Sequence, residues 1–483
     1  MAAQTRSIII IGAGPGGICA AIKLLTRGFE NFIILEKAPA LGGTWWYNQY
    51  PGAACDVPSH LYSFSFETQY DWSSPYADAA EILTYMQRCA DKYGVMPYVR
   101  FDSEVNSARW NEQSACWILN TSNGATFEAN ILIAAQGMFN EPLWPDIPSL
   151  DNFAGTMFHT ARWDHDQDLR NAQVGMIGSA ASAVQSAPPT AVLARHLSIF
   201  QRTPNWILPK KDRPYLPEKR DFLRSNPAGI EQNRQRFFEA FDGFELLNDP
   251  QRYAETVQLG LDNIAVVNDP TTRARLTPNY PFGCKRILLS SNYYPMFNRD
   301  NVSLVTENIK AVNTSGVATV DGSQHDCDVL VIATGFHVSR YLSSVEVFGR
   351  ARCSLREAWN DGAQAYLGIT THNFPNLFQL YGPNTNKGSI LYMLECQTDY
   401  IVRQIERMNA NDLAWIDVRE DVMRAYNDEI QRDANAIEVW SENCNNYFRH
   451  PGSGRVVTQY PRSMLRYRED TQKSDGDAYV SDC

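Results

Sequence analysis

The sequence predicts an α/β fold made of two Rossmann-like dinucleotide-binding domains, with the second inserted in the first, and a small helical insertion. Two stretches carry this prediction, because each has the pattern of an apolar strand, a glycine-rich turn and a helix; the turns begin at Gly12 and Gly178. A third observation is the apolar strand 328–336, which ends in small residues as the strand 129–137 does. It is predicted to return to the first sheet, so that the two nucleotide sites face each other.

The predicted domain boundaries follow from these elements and from the prolines at 142, 145 and 148, which break regular structure. In chain order, the predicted parts are the opening part of the first domain, 1–142; a linker, 143–165; the second domain, 166–217 and 273–327; the helical insertion, 218–272; and the closing part of the first domain, 328–483. The linker therefore joins the two nucleotide-binding domains.

The composition excludes several classes of protein. With 44% hydrophobic and 12% aromatic residues the chain is globular, and its formal net charge of -11 argues against a nucleic-acid surface. No apolar run approaches the roughly 18 residues of a membrane span and no signal peptide is evident, so a cytoplasmic enzyme is expected. The 10 cysteines contain no C-x-x-C pair, which disfavours a metal site or a dithiol centre and suits a reducing compartment.

The first glycine turn has the context of a dinucleotide site. Gly12, Gly14 and Gly17 follow the strand 7–11 and open a helix, so they allow a tight turn, a close approach to a pyrophosphate and close packing of helix on strand. The next strand ends in Glu36, about twenty residues later, where a carboxylate can bond a ribose diol.

An irregular loop from Gly42 to Asp56 comes next and is rich in glycine, proline and aromatic residues. Loops on a rigid scaffold often carry sites, but aromatic clusters are more often packing, so composition alone leaves Trp45 and Tyr50 as core residues. Asp56 is unusual among its apolar neighbours. It either faces solvent or pairs with a cation from another part of the chain.

The second turn has an eroded glycine pattern, because Ala180 and Ala183 follow Gly178 where glycines are usual. The methyl group of Ala180 lies where a pyrophosphate normally approaches, which makes this the weaker of the two sites. The next strand, 196–200, is followed by Arg202, and a cation there favours the 2′-phosphate of NADPH over NADH. The alternative is a surface arginine at a strand end.

The segment 218–272 is predicted to be mainly helical, either as a cap over a substrate cavity or as an insertion that packs its own core. Its aromatic residues are Phe222, Phe237, Phe238, Phe241, Phe244 and Tyr253. After it, Lys285 and Arg286 lie side by side in a turn before an apolar segment, and two such cations need anions. Asp56 and a 2′-phosphate are candidates.

Weaker patterns complete the chain. A helix is predicted over 79–93 and another from about Gly388, and the polar tail after Glu469 is expected to fray. Three segments are predicted to form an inserted antiparallel sheet, near Phe101, Ala108 and Cys116.

Two stretches carry long motifs of one protein family. The joint between the two units matches F-x-G-x-x-x-H-x-x-x-W-[P/D] at Phe153, Gly155, His159, Trp163 and Asp164. The loop matches [A/G]-G-x-W-x4-[F/Y]-P-[G/M]-x3-D at Gly42, Gly43, Trp45, Tyr50, Pro51, Gly52 and Asp56. With these motifs the chain resembles the class B flavoprotein monooxygenases, most closely the Baeyer-Villiger monooxygenases, over nearly its whole length.

The resemblance implies that the first domain binds FAD and the second NADPH. It also implies that Arg286 stabilises a flavin peroxide, that Asp56 orients Arg286, and that Lys285 binds the 2′-phosphate. The implied cofactor-binding residues are Gly12, Gly14, Gly17, Glu36, Gly43, Thr44, Trp45, Tyr50, Asp56, Gly178, Ser179, Ser182, Arg202, Thr203, Lys285 and Asn384. A bulky apolar ketone is predicted to contact Leu391, Tyr392 and Met393.

The implied reaction is an NADPH- and O2-dependent oxygenation through a flavin C4a-peroxide, which inserts one oxygen next to a ketone carbonyl to give an ester or a lactone. A deprotonated peroxide adds to a ketone, whereas a protonated one oxygenates nitrogen or sulfur, so N- or S-oxygenation is the alternative. A nucleotide-binding protein without turnover is a remote alternative. His159 is expected to pack rather than to act as a base, and a further hypothesis is that it couples rotation of the NADPH domain to the flavin.

Overall fold

The centre of the molecule is a pair of five-stranded parallel sheets. The computed structural model describes residues 6–242, 249–440, 444 and 446–482. The first sheet has the strand order Leu377–Gln379, Ile131–Ala134, Ile8–Ile11, Phe32–Leu35 and Val99–Arg100. The strand Ile8–Ile11 is fully buried at its middle, as expected for an apolar β-branched run covered on both faces.

The second sheet is also parallel throughout and has the order Val302–Val305, His196–Phe200, Gln173–Ile177, Val329–Ile332 and Thr156–His159. The predicted return of 328–336 to the first sheet is therefore wrong, because Val329–Ile332 pairs with Gln173–Ile177. An apolar β-branched strand suits the middle of either parallel sheet, and its sequence does not carry the choice of partner. The short strand Leu377–Gln379 makes the return instead.

Thirteen helices surround the sheets in the described part of the chain, and Pro15–Thr26 and Ile390–Ala410 are among those that share the buried core of the first sheet. The others are Thr44–Tyr47, Ala79–Lys92, Ala181–Leu193, Pro217–Ser225, Pro227–Asp242, Pro250–Ile264, Pro270–Leu276, Tyr293–Met296, Leu355–Ala358, Glu420–Ala436 and Met464–Gln472. Four of these confirm the predicted helical character of 218–272. In the described ranges, no helix is both long enough and apolar enough to cross a membrane.

Smaller sheets lie outside the two central ones. The antiparallel strands Val105–Asn111, Cys116–Thr121 and Thr126–Ala129 form the predicted inserted sheet, with Glu346–Phe348 added in parallel. The segment near Phe101 does not join it, because Val99–Arg100 pairs in parallel with Phe32–Leu35 in the first sheet. The remaining strands are Ile207–Leu208, Leu288–Leu289, Ile309–Asn313, Gly316–Thr319, Gln324–Asp326, Ile416–Val418 and Tyr479–Ser481.

The described part of the tail, 470–482, is ordered, contrary to the expectation that it frays. Tyr479–Ser481 pairs with Ile416–Val418, and Tyr479 is buried, with its hydroxyl 2.6 Å from that of Tyr400. The tail is polar in composition, but one aromatic ring and a strand pairing are enough to fix it. These are tertiary contacts that a composition argument does not include.

Candidate active site

A single cavity of about 1710 Å³ lies where both glycine turns open. Its wall includes Gly12 and Gly14 from the first turn and Gly178 from the second. The turns follow the carboxyl ends of parallel strands, where open α/β sheets bind their ligands. The volume is larger than that of an ordinary single-ligand pocket, roughly 300–1,000 Å³. One cavity can therefore hold two nucleotides and a substrate.

The first turn has the geometry that its glycines predict. Gly12 has φ +100°, and a Cβ there would lie 2.8 Å from the carbonyl oxygen of Ala135. A Cβ on Gly17 would lie 1.9 Å from the carbonyl oxygen of Gly12, so the third glycine serves helix-on-strand packing and lies behind the cavity wall. Only a chain without these side chains can bring helix, strand and ligand this close.

Glu36 lies on the cavity wall and is buried at the end of its strand. Its carboxylate accepts from the backbone N–H of Ala13 at 2.6 Å and from that of Ala38 at 2.8 Å. Burial raises the pKa of Glu36, and these two backbone donors oppose the rise. The carboxylate thus stabilises the glycine turn by accepting these two hydrogen bonds, and its remaining lone pairs can accept from a ribose.

The loop after Gly42 folds against the first turn. Gly43 has φ +55°, and a Cβ there would lie 2.8 Å from the Cα of Gly14, which explains why this loop position requires glycine. Trp45 donates its indole N–H to the Tyr62 hydroxyl at 3.1 Å. Trp45 and Tyr50 are buried and, like Thr44, reach the cavity, so these aromatic residues serve both as core and as wall.

Asp56 and Arg286 form an ion pair on the cavity wall. Nη2 of Arg286 donates to Oδ2 of Asp56 at 2.8 Å, although 230 residues separate the two. The Asp56 side chain is 13% exposed and the Arg286 side chain 41% exposed, and this exposed surface faces the cavity. Burial alone would lower the pKa of Arg286, but Asp56 and the phenol of Tyr447 raise it, so the guanidinium stays charged. The structure thus pairs Asp56 with Arg286, as the family resemblance implies.

The second turn tolerates its alanine. Gly178 has φ +120°, and a Cβ there would lie 2.4 Å from the carbonyl oxygen of Ala333. Ala180 precedes the helix Ala181–Leu193 with an extended backbone of φ -90°, a conformation that any residue adopts. Its exposed methyl group lies on the cavity wall together with Ser179 and Ser182. Alanine instead of glycine at position 180 therefore causes no backbone strain. It only reduces the space beside a bound phosphate by one methyl group.

Arg202 and Lys285 form a cationic pair on the wall near the second turn. Burial and the charge of Arg202 both lower the pKa of Lys285, which places the two cations close together. Within the described ranges, neither forms an ion pair with a carboxylate. Thr203 lies beside them, and its carbonyl accepts from the Ser179 hydroxyl at 3.2 Å. Two cations without a protein anion are suited to a phosphate.

The helix Ile390–Ala410 does not present the predicted substrate residues. Leu391 and Met393 are fully buried in the core, and Tyr392 packs on Phe238 with ring centroids 4.9 Å apart, so none of the three lines the cavity. Ile390 and Leu394 line it instead. These two positions are four residues apart and share one helix face, which the predicted run of three consecutive residues cannot do.

Asn384 is also away from the cavity wall. Its side-chain amide donates to the carbonyls of Val456 and Gln459, at 2.8 and 3.0 Å, and the residue is buried. Asn386 lines the cavity in its place. Which residue of this turn faces the cavity depends on the turn geometry, including φ +53° at Asn384.

One helix of the insertion, Pro227–Asp242, reaches the cavity wall with its last turn. Ala240 and Phe241 lie on the wall, and Phe238 packs against Tyr392 of the helix Ile390–Ala410. Phe222, by contrast, is 51% exposed. This arrangement favours a cap over an insertion with its own closed core. The predicted aromatic residue Phe244 lies outside the described residues.

His159 in the joint is a buried, neutral residue. Its Nδ1 accepts from the backbone N–H of Ala161 at 3.0 Å, and the rings of Trp144 and Phe336 lie 5.8 and 6.0 Å away. Burial lowers the pKa of His159 to about 4, so the ring is uncharged near neutral pH. His159 ends the edge strand of the second sheet, which agrees with the predicted packing role.

Gln185 and Tyr447 lie on the cavity wall but are absent from the predicted site. Gln185 accepts from the Tyr50 hydroxyl at 2.8 Å and donates to the carbonyl of Ala54 at 2.9 Å, so it ties the second unit to the aromatic loop. Burial raises the pKa of Tyr447, and the neighbouring Arg286 opposes the rise. Neither residue belongs to a motif, and both become visible only when distant segments meet.

Comparison with known proteins supports the nucleotide sites. Residues 9–216 match the family model described as pyridine nucleotide-disulphide oxidoreductase. A solved structure described as an oxidized steroid monooxygenase bound to NADP has a TM-score of 0.89 and 29% identity, with 99% of both chains covered. Another, described as an OTEMO complex with FAD and NADP, has a TM-score of 0.89 and 28% identity at the same coverage.

The sequence relatives are closer still. A Baeyer-Villiger monooxygenase of Pseudomonas aeruginosa is 37% identical over 484 residues, which covers 99% of this chain and 92% of that protein. The match includes both glycine turns and the segments that carry Asp56 and Arg286, since it spans nearly all of the chain. The chain belongs to the Baeyer-Villiger monooxygenase family.

Proposed function

We propose that this FAD-containing, NADPH-dependent monooxygenase inserts one oxygen atom next to the carbonyl of a ketone, giving an ester or a lactone. The observation that carries the proposal is the Arg286–Asp56 ion pair, which lies on the wall of a cavity shared by both glycine turns. A fixed cation between two nucleotide sites is suited to stabilising an anionic oxygen species in a site that excludes water.

The residues around the first turn fit FAD. Gly12 and Gly43 keep the turn free of side chains that would clash with backbone on either side, and Glu36 offers a buried carboxylate at the expected place. Gly14 and Thr44 complete this wall and would hold the dinucleotide, with Trp45 and Tyr50 beside them. Bound FAD supplies the electron transfer and the activation of dioxygen that no side chain can provide.

The residues around the second turn fit NADPH. Gly178, Ser179 and Ser182 stand at the start of the helix Ala181–Leu193, where backbone N–H groups favour a pyrophosphate. Arg202 and Lys285, with Thr203 beside them, would bind the 2′-phosphate. This assignment gives each of the two cations the anion that the described protein residues do not supply.

Arg286 acts on the charge of the reacting oxygen. Its guanidinium stabilises a negative oxygen near it, which favours the deprotonated, nucleophilic form that adds to a carbonyl carbon. Asp56 fixes the guanidinium through one oxygen, while its other oxygen, Oδ1, is buried without a hydrogen-bond partner in the described structure. Protonated oxygen donors react with nitrogen or sulfur, so a permanently charged arginine here favours the ketone reaction.

The apolar part of the wall suits a carbon-rich ketone. Phe241 comes from the helical insertion, and Ile390 and Leu394 come from the long helix. Together they form an apolar face that excludes water and gives binding energy to an aliphatic or aromatic substrate. We infer a bulky apolar ketone from this face, although the three residues first predicted to contact it do not line the cavity.

Arg202→Ala should raise KM for NADPH roughly 10-fold or more, with little change in KM for NADH, because only NADPH carries the phosphate that this cation would bind. Steady-state kinetics with both coenzymes measures the difference. The matched control is Arg195→Ala, since Arg195 is an exposed arginine just before the same strand. An equal rise in KM for both coenzymes would show that Arg202 does not bind the 2′-phosphate.

A product panel tests the proposed reaction. The enzyme is supplied with NADPH and, separately, with cyclic ketones, aryl ketones, thioethers and tertiary amines, and the products are identified by mass spectrometry. Esters or lactones as the main products are expected. If sulfoxides or N-oxides form and no ketone is converted, the enzyme is a heteroatom oxygenase and the ketone assignment is wrong.

A further inference from the structure

Two cysteines that are distant in sequence meet next to the Arg286 turn. Cys284 and Cys444 are 160 residues apart, their Cα atoms are 5.7 Å apart, and their sulfurs are joined. Cys284 directly precedes Lys285 and Arg286, two of the cations on the cavity wall. The sequence predicts small buried thiols for most of the cysteines, and six of the seven free cysteines in the described chain are buried. Cys284 and Cys444 are also buried, but they differ from these seven because their sulfurs form a disulfide.

A hydrogen bond fastens the same two segments. The side-chain amide of Asn446 donates to the carbonyl oxygen of Cys284 at 3.0 Å. Asn446, Tyr447 and Phe448 all line the cavity, and the Tyr447 phenol lies within electrostatic reach of Arg286. The cysteine pair therefore joins the turn that carries Arg286 to the part of the cavity wall beside it. Cys444 and residues 446–448 are together called the clasp segment below.

We propose that Cys284 and Cys444 are an oxidative modification site, at which hydrogen peroxide converts two thiols into a disulfide that fixes the Arg286 turn to the clasp segment. The two thiols lose two electrons and two protons, one S–S bond forms, and the peroxide is reduced to two molecules of water. The inference rests on the proposed function in one respect: uncoupled turnover of the oxygenase is the nearby source of the peroxide.

The surroundings favour reaction at this pair over Cys55, a free cysteine that itself lines the cavity, because burial raises the pKa of the Cys55 thiol to about 12 and so disfavours its reactive thiolate. Cys284 is 1% exposed and Cys444 is 6% exposed, so oxidants in bulk solvent reach them poorly. Their neighbours Gly283 and Lys285 line the cavity, which gives peroxide released inside the cavity a short route. Lys285 and Arg286 are cations directly after Cys284, and nearby cations favour the reactive thiolate.

The disulfide has a consequence for coupling. It restricts the turn before Arg286, which keeps the guanidinium between Asp56 and Tyr447 and so beside the reacting oxygen. The oxidised enzyme is therefore expected to release a smaller fraction of its oxygen as hydrogen peroxide than the reduced enzyme does. Hydrogen peroxide released by uncoupled turnover thus forms the disulfide, and the disulfide reduces further release of hydrogen peroxide.

The first measurement is a thiol map of the wild-type holoenzyme. One sample is reduced with dithiothreitol and another is treated with stoichiometric hydrogen peroxide; free thiols are blocked, and the peptides are analysed without reductant. The peroxide-treated sample should show Cys284 linked to Cys444 and two fewer free thiols. A pair that stays reduced while other cysteines are oxidised would overturn the proposal.

The second measurement separates the clasp from a passive crosslink. Oxidised and reduced wild-type enzyme are compared for hydrogen peroxide released per NADPH consumed, and Cys284→Ser and Cys353→Ser are compared in the same assay. Cys353 is a free, half-buried cysteine away from the cavity and is the control. A smaller leak in the oxidised enzyme, absent in Cys284→Ser and retained in Cys353→Ser, supports the proposal; equal leaks overturn its functional part. Because the thiol map uses added peroxide, it gives its answer even if the enzyme oxygenates no ketone.

Discussion

Arg286→Ala should lose ester or lactone formation by about 10²- to 10³-fold while NADPH oxidation continues, because removal of one donor to a reacting oxyanion typically costs that much. The electrons then leave as hydrogen peroxide, so the ratio of peroxide to NADPH should rise towards unity. Product yield by gas chromatography and peroxide by a peroxidase-coupled assay measure the two branches. The reason is the position of the guanidinium, fixed at 2.8 Å from Asp56 on the wall between the two nucleotide sites.

Two variants control this result. Arg286→Lys keeps a positive charge but loses the planar fork, so it should recover part of the product yield. Arg299→Ala removes an exposed arginine that bonds Asn301 outside the cavity, and it should behave as the wild type. Ester formation by Arg286→Ala at close to the parent rate would remove Arg286 from the central role.

Asp56→Ala should lower product formation roughly 10- to 150-fold, since a hydrogen bond between charged groups contributes about 1.5 to 3 kcal/mol. FAD should remain bound, because the pair holds Arg286 and the glycine turn holds the nucleotide. The flavin absorbance of the purified variant and its product yield per NADPH are the two readouts. A colourless variant would instead assign Asp56 a structural role in the loop.

A double variant tests whether the two residues act as one unit. If Asp56 works only through Arg286, then Asp56→Ala combined with Arg286→Ala should be no worse than Arg286→Ala alone. Asp56→Asn keeps the shape of the side chain and removes its charge, so it separates orientation from electrostatics. Additive losses would mean that Asp56 has a second task, for which its unpartnered buried oxygen Oδ1 is the candidate atom.

The parts that local sequence encodes were predicted well. A glycine turn after an apolar strand brings backbone close to backbone, and Gly12 and Gly178 have positive φ at places where a Cβ would clash with backbone; Gly43 in the following loop does the same. Two adjacent cations before an apolar segment need anions. In the structure Asp56 is the anion beside Arg286, whereas Lys285 lies beside a second cation, Arg202, where a phosphate can bind. The chemistry of single residues thus limits their possible partners even before the fold is known.

The sequence does not encode locally which strands pair with each other or which residues of a helix face the cavity. The strand Val329–Ile332 is apolar enough for either sheet, and only the topology assigns it to the second. The helix Ile390–Ala410 has apolar residues on more than one face, so its sequence did not distinguish Leu391 in the core from Leu394 at the cavity. Gln185 is an ordinary helix residue until the loop carrying Tyr50 and Ala54 is brought against it.

Oxygen labelling follows the inserted oxygen atom itself. The enzyme is incubated with NADPH and a cyclic ketone under ¹⁸O2, and the product is analysed by mass spectrometry. We expect a lactone that carries one ¹⁸O atom in its ring and is formed in step with NADPH consumption in the wild type but not in Arg286→Ala. NADPH consumption with unlabelled ketone recovered and only hydrogen peroxide formed, across the whole ketone panel, would contradict it.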